Sequence, residues 1–181
     1  MEPHKGPRRN GSEELNQNRF KAMTNETKTR AALFTAASDF LTANASITTS
    51  TETVTGLPTI ASTSIAWPNQ NFDPAGKAVW SSVHYLPGTP TVGAVGPGGR
   101  DVFTGFIQID INVAPDSGES ELISWNEKSR LYFHGGRVFT YSGHSLLVIS
   151  SEIAQSRLVG NNFRSSFDVS FRSHLKRPIL T

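Results

Sequence analysis

Apolar and polar positions alternate most clearly in two segments of the chain, residues 101–114 and 163–175. In the first segment, one face carries the branched side chains Ile107, Ile109, Ile111 and Val113. In the second, one face carries Phe163, Phe167, Val169, Phe171 and Leu175. This period-two spacing predicts two half-buried strands. The intervening side chains, Asp110 and Asp168 among them, are then expected to be solvated on a polar outer face, which is typical of an antiparallel sheet.

Two other segments have apolar residues at helical spacing. Residues 25–43 are predicted to form a helix that Thr24 or Asn25 caps, because both side chains can accept a backbone N–H bond. Its apolar stripe consists of Leu33, Phe34, Ala37, Phe40 and Leu41. A second helix is predicted to begin at Asp116 or Ser117 and to end at Gly135–Gly136. Its stripe consists of Leu122, Trp125, Ser129, Tyr132 and Phe133.

Shorter strands complete the predicted sheet. The Ser/Thr-rich residues 45–65 are expected to form a ribbon or loop that leads into a strand near residues 64–67, which Pro68 ends. Residues 78–86 predict another strand, and residues 137–141 and 145–150 predict a hairpin. The order of elements indicates an α+β fold, a mixed and mainly antiparallel sheet packed by two main helices.

Residues 87–100 contain five Gly and three Pro, which excludes a helix or an interior strand. A structureless connection of this length is uncommon inside a compact domain and is often functional. Two interpretations stay open at this point. The segment is either a flexible hairpin connection or an arm that folds against a neighbouring subunit.

The N-terminal residues 1–22 are polar and hold five basic against three acidic side chains, so the net charge of +2 belongs to them. Their composition predicts an arm, either disordered or ordered against a partner. Residues 23–181 are neutral overall and form one predicted domain. The sequence from Met23 resembles a natural start, which would make residues 1–22 an upstream extension. The chain has neither a secretory signal nor an apolar run long enough to span a bilayer.

Motifs that carry chemistry are absent from the sequence. Without Cys there is no thiol nucleophile or Cys-based metal site, and the five His show no ligand-pair spacing. The segment GPGGR at 96–100 lacks the Lys and the following helix that a phosphate loop needs. An enzyme built on a His/Asp pair, such as His84 with Asp110, is a weak alternative. We therefore predict no catalytic residue, no metal and no cofactor.

The order of segments resembles a known family. The residues that carry the likeness best are Ile65–Asn69 (IAWPN) and Gly99–Pro115 (GRDVFTGFIQIDINVAP). Together with the opening helix and the closing charged strand, they resemble the tail terminator proteins of long-tailed, siphovirus-like bacteriophages. That group includes a phage-related minor tail protein family of formerly unknown function. The resemblance covers about residues 25–177, so residues 23–181 are expected to form one tail-terminator-like domain.

The resemblance implies a non-enzymatic virion protein of the tail neck, assembled in the host cytoplasm. It implies a ring, usually of six subunits, that caps the head-proximal end of the tail tube and ends its polymerisation. The implied partners are further copies of the chain, the tail tube protein and a head-completion or neck protein, with no membrane and no specific nucleic acid, although DNA can pass through the ring. The alternative is another neck or head–tail connector protein, or a minor tail protein.

A closed ring needs complementary surfaces on neighbouring subunits. Polar strand faces suit such wet interfaces, and the loop at 87–100 can reach a neighbour. The candidate subunit-contact residues are Val92, Val95, Arg100, Asp101, Arg164 and Arg172. Ordinary solvated charge is the alternative interpretation for each of the charged residues among them.

Overall fold

In the computed structural model, an eight-stranded sheet is covered on one face by two helices. The structure describes residues 11–43, 46–48, 50, 53–96, 98–115 and 119–176, with side chains described for residues 26–175 of these ranges. Within them the helices are α1 (Gly11–Thr42) and α2 (Ser120–Tyr132). The strands are β1 (Ile47–Thr48), β2 (Thr53–Val54), β3 (Ile65–Ala66), β4 (Val79–Pro87), β5 (Thr91–Val92), β6 (Arg100–Val113), β7 (Val138–Tyr141), β8 (His144–Ile153), β9 (Arg157–Val159) and β10 (Asn162–Lys176).

The sheet is built around the two strands with the clearest alternation. β6 and β10 pair antiparallel from Phe163 opposite Val113 to Lys176 opposite Arg100. The sheet order is β3-β4-β6-β10-β8-β7, with β5 added to β6 and β9 to β10. Only the short β3–β4 pair is parallel among the described strands. The fold is therefore α+β with a mixed, mainly antiparallel sheet, which confirms the predicted class.

The hydrophobic core lies between the helices and the sheet. Phe40 of α1 is fully buried, and its ring lies 5.1–6.1 Å from four other aromatic rings. Those rings belong to Trp125, Tyr132, Phe133 and Phe167. One aromatic side chain thus joins α1, the end of α2 and the centre of β10, as the predicted helical stripes require.

The start of α1 differs from the prediction. The helix begins at Gly11, so Thr24 and Asn25 lie inside it and the predicted start was wrong. Residues 12–23 (SEELNQNRFKAM) are rich in Glu, Gln, Lys, Leu, Ala and Met, whose side chains lose little freedom in a helix. The prediction of an arm over residues 1–22 gave more weight to the Gly, Pro and Asn residues of this segment than to these helix-favouring residues. The helix runs through the boundary predicted at residue 22, and the predicted partner of residues 1–22 stays a prediction.

The remaining elements follow the prediction with local differences. β1 and β2 form a small antiparallel ribbon, and β3 ends before Pro68 as expected. Ser142 and Gly143 both have positive φ, as a two-residue hairpin turn requires. α2 begins at Ser120, while the predicted caps Asp116 and Ser117 lie outside the described residues.

One buried charge in the helical layer was not expected. Lys128 of α2 is 0% exposed, and its Nζ donates a hydrogen bond to the carbonyl oxygen of Pro58 at 2.7 Å. The Nζ lies 5.3 Å from the ring centroid of Phe40 and 5.0 Å from that of Trp125. Burial lowers the pKa of Lys128 to about 8, because the charged ammonium loses its hydration.

The lowered pKa of Lys128 predicts that the protein becomes more stable as the pH rises from 8 to 9.5. In this window the unfolded chain, whose lysine keeps its ordinary pKa of 10.5, binds more protons than the folded chain. The free energy of unfolding is expected to rise by about 1–2 kcal/mol. Burial also raises the pKa of Tyr85 to about 12, so stability falls again above pH 10. Urea titrations should show the rise in the wild type, and Lys128→Met should remove it. An equal rise in the variant would contradict the assignment.

Candidate interaction surface

The sheet face turned away from α1 and α2 is lined by alternate side chains of β4, β6, β8 and β10. We call it the open face, because the two helices pack on the other side. Its residues include Ser82, His84, Leu86, Phe106, Gln108, Asp110, Asn112, Ile149, Glu152, Arg164, Asp168 and Arg172. It combines a polar network, a row of carboxylates and an apolar strip.

The polar network surrounds Asp110. Its carboxylate accepts a hydrogen bond from Gln108 Nε2 at 2.8 Å and lies 3.4 Å from Arg164 Nη1. Ser82 Oγ donates to it at 3.3 Å. Arg164 Nε donates in turn to Asn112 Oδ1 at 2.8 Å. Asp110 is only 1% exposed, so the prediction that it is solvated was wrong: side chains from three adjacent strands close over it.

A row of carboxylates lies beside this network. Asp168 of β10 stands directly opposite Glu152 of β8 in the antiparallel register. The pKa of Asp168 is raised by burial first, and then by the negative charges of Asp110 and Glu152. Asp168 was also predicted to be solvated, but one of its oxygens is buried without a hydrogen-bond partner. Like charges at directly opposed positions destabilise a sheet. The open face therefore places two carboxylates side by side at this point, and Arg157 lines the same cleft as Asp168.

An apolar strip crosses the open face next to the carboxylates. Leu86 and Phe106 stand opposite each other on β4 and β6, and they are 42% and 37% exposed. Ile149 on β8 is 45% exposed as well, and Ser170 of β10 stands between its strand and Phe106. A register shift between β8 and β10 leaves Ile149 unpaired, next to Val148, which is buried on the helical side. Neighbouring exposed apolar side chains of this kind mark contact surfaces.

The Gly/Pro-rich connection folds back onto its own sheet instead of extending. Val92 pairs with Asp101, and the backbone N–H groups of Gly93 and Ala94 both donate to the Arg100 carbonyl oxygen at 2.9 Å. This closure leaves Val92 66% and Val95 91% exposed, beside the exposed Arg100. We call Val92, Val95 and Arg100 the loop tip.

The six predicted contact residues fall into separate places. The loop tip and Asp101 lie together at one end of the sheet. Arg172 is exposed on the open face opposite Thr104, a few residues from that end. Arg164 stands opposite Asn112, eight residues further along β6, which is roughly 27 Å at the ordinary rise of a strand. It is held by Asp110 and Asn112 of its own chain.

Sequence reasoning missed the apolar strip. Phe106 shares the period-two phase of Gln108 and Asp110, so its outward direction could have been predicted. Leu86 shares the phase of His84 in the same way. Ile149 could not have been found, because the register shift that leaves it unpaired has no signal in the sequence.

The site does not have the geometry of a catalytic triad. His84 Nε2 lies 3.3 Å from Ser82 Oγ and 3.6 Å from Asp110 Oδ2. A triad needs the serine and the carboxylate on opposite ring nitrogens, whereas here both approach the same one. Among the described residues, no group of three or more His, Asp or Glu is placed to hold a metal ion. Neither described helix has the length and apolar character needed to cross a membrane.

The sheet thus has one face covered by the helices and one face that carries the polar network and exposed apolar side chains. A family model described as phage tail terminator protein matches residues 41–170, most of the chain. The chain therefore belongs to the phage tail terminator protein family. This confirms the resemblance carried by Ile65–Asn69 and Gly99–Pro115.

Comparison with solved structures supports the fold. Twelve solved chains match. One of them, which carries no descriptive name, has a TM-score of 0.59 and 16% sequence identity over 83% of this chain and 96% of that chain. At this identity the likeness concerns the fold alone. None of the curated proteins matches the sequence.

Membership of this family makes the chain a structural protein of the phage tail. The family is non-enzymatic, and its members are components of the virion tail that contact other tail or head proteins.

Proposed function

We propose that the protein caps the head-proximal end of the phage tail tube as a closed ring, usually of six copies. The ring ends polymerisation of the tube protein and then offers a docking surface to a head-completion or neck protein. DNA passes through its centre without specific recognition. The protein would be assembled in the host cytoplasm and remain in the neck region of the virion. Family membership supports this proposal.

The proposal of a ring rests on the presence of two different exposed patches on the protein. The apolar strip lies on the open face, and the loop tip lies at one end of the sheet. Two unlike patches that meet on neighbouring copies form a heterologous contact, which generates a ring when the rotation closes. The six candidate contact residues remain proposals, with Arg164 acting inside its own chain as well.

The first experiment measures self-association and binding to the tube end. Light scattering after size exclusion, at low and high protein concentration, is combined with negative-stain images of the heaviest fraction. The purified protein is then added to isolated tail tubes in the presence of free tube protein. We expect rings of about six copies, density at one end of each tube, and arrest of further growth.

The same experiment tests the alternatives. The control is an equal amount of an unrelated protein of similar size. Tubes that grow equally long with and without the protein, and bear no density at their ends, would refute the capping proposal. Binding to DNA-filled heads in preference to tube ends would instead indicate another neck or head–tail connector protein.

A further inference from the structure

We propose that the loop tip of one copy docks on the apolar strip and the adjacent carboxylates of the open face of a second copy. The proposal rests on the proposed ring and names the two surfaces that hold it together. Val92 and Val95 would contact Leu86, Phe106 and Ile149. Arg100 would lie against Glu152 and Asp168.

The two surfaces complement each other in charge. Among the described side chains, Arg164 forms an ion pair with Asp110 on the open face, and His84 Nε2 lies 3.6 Å from the same carboxylate. Neither Glu152 nor Asp168 forms an ion pair within the described part of the chain, although the two stand directly opposite each other and Arg157 lines the same cleft as Asp168. Arg100 is exposed at the loop tip and can supply a positive charge there. An arginine beside two carboxylates also suits the planar, forked geometry of its guanidinium group.

The two surfaces also complement each other in apolar area. Val95 is the most exposed large apolar side chain among the described residues, at 91%, and Val92 is 66% exposed. The strip formed by Leu86, Phe106 and Ile149 provides a matching apolar surface of partly exposed side chains. Burying these five side chains against one another removes apolar area from water on both partners, which favours association.

We infer a second copy as the occupant, because the loop tip does not reach the carboxylates of this site in its own chain. The tip is bonded to β6 at Arg100, while Asp168 stands opposite Gln108, eight residues along the same strand. That separation is roughly 27 Å. The contact therefore joins two different patches of two copies, as the ring requires.

A charge exchange tests the contact. Arg100→Glu and Glu152→Arg are each expected to weaken self-association about tenfold or more, since either change places like charges together. The combined variant exchanges the two signs and should restore association to within about threefold of the wild type. Val95→Asp should weaken it as well, because it places a charge against the apolar strip. All three substituted positions, Val95, Arg100 and Glu152, are exposed, so the monomers are expected to fold.

The matched control is Arg130→Glu, which reverses an exposed arginine on α2, on the other side of the sheet. It should associate like the wild type. Light scattering, negative-stain images and circular dichroism are recorded for every variant. Rings that form equally well from Arg100→Glu and Val95→Asp would overturn the contact and leave the capping proposal standing. A wild type that forms no rings, alone or on tail tubes, would overturn both. Loss of self-association in the single variants, together with its recovery in the combined variant, supports the contact.

Discussion

Phe40→Ala is expected to lower the free energy of unfolding by about 3–5 kcal/mol, the usual cost of removing a fully buried Phe. The side chain is 0% exposed and touches both helices and β10 through four aromatic neighbours. Its loss leaves a cavity at the one point where these elements meet. The midpoint of thermal unfolding should fall by roughly 10–15 °C for a chain of this size. Urea and thermal unfolding at low protein concentration measure the effect on the monomer.

The matched control for this prediction is Phe106→Ala. Phe106 is 37% exposed on the open face, so its removal is expected to cost about 1 kcal/mol in the monomer. Its main effect should appear in self-association, because it belongs to the apolar strip. Equal destabilisation of the two variants would show that the core does not centre on Phe40.

Arg164→Met is expected to lower the free energy of unfolding by about 2–4 kcal/mol. It leaves the carboxylate of Asp110, which is 1% exposed, without its arginine, and it removes the donor to Asn112 Oδ1. The methionine keeps most of the aliphatic chain, so the loss is electrostatic. Chemical denaturation of the monomer at neutral pH measures it.

Arg172→Met provides the control on the same strand and the same face. Arg172 is exposed, and its replacement should change stability by less than about 0.5 kcal/mol. Adding Asp110→Asn to Arg164→Met should recover part of the loss, because a neutral amide no longer needs the cation. If Arg164→Met and Arg172→Met unfold at the same urea concentration, the pair of Arg164 with Asp110 contributes nothing to the free energy of unfolding.

The main elements of the fold could be predicted because their burial pattern is local. In β6 and β10, each buried residue is followed by one on the other face, and this alternation is present in the sequence itself. The same holds for the stripe of α2 that contains Leu122 and Trp125. Such patterns indicate which side of an element packs on the core. The helices and the central strands could therefore be predicted from them.

The open face could not be predicted in the same way. Asp110 lies in the outward phase of β6, and an outward carboxylate is ordinarily solvated. It is buried because Ser82 and Arg164 from the adjacent strands β4 and β10 close over it together with Gln108 of its own strand. The order of the strands cannot be deduced from any one segment. The start of α1 was missed for another reason, since residues 12–23 contain several helix-favouring residues but no apolar stripe.

The closure of the loop tip has a consequence for the cost of assembly. The Arg100 carbonyl oxygen accepts two backbone bonds, and Gly93 and Gly99 lie where a Cβ would clash with Val102 and with the Ala94 carbonyl, respectively. The backbone that these bonds and close contacts hold is already ordered in the free monomer. A disordered arm would lose conformational entropy on docking and bind more weakly for the same contacts. In the proposed ring, preformed tips would therefore allow neighbouring subunits to join through a small contact.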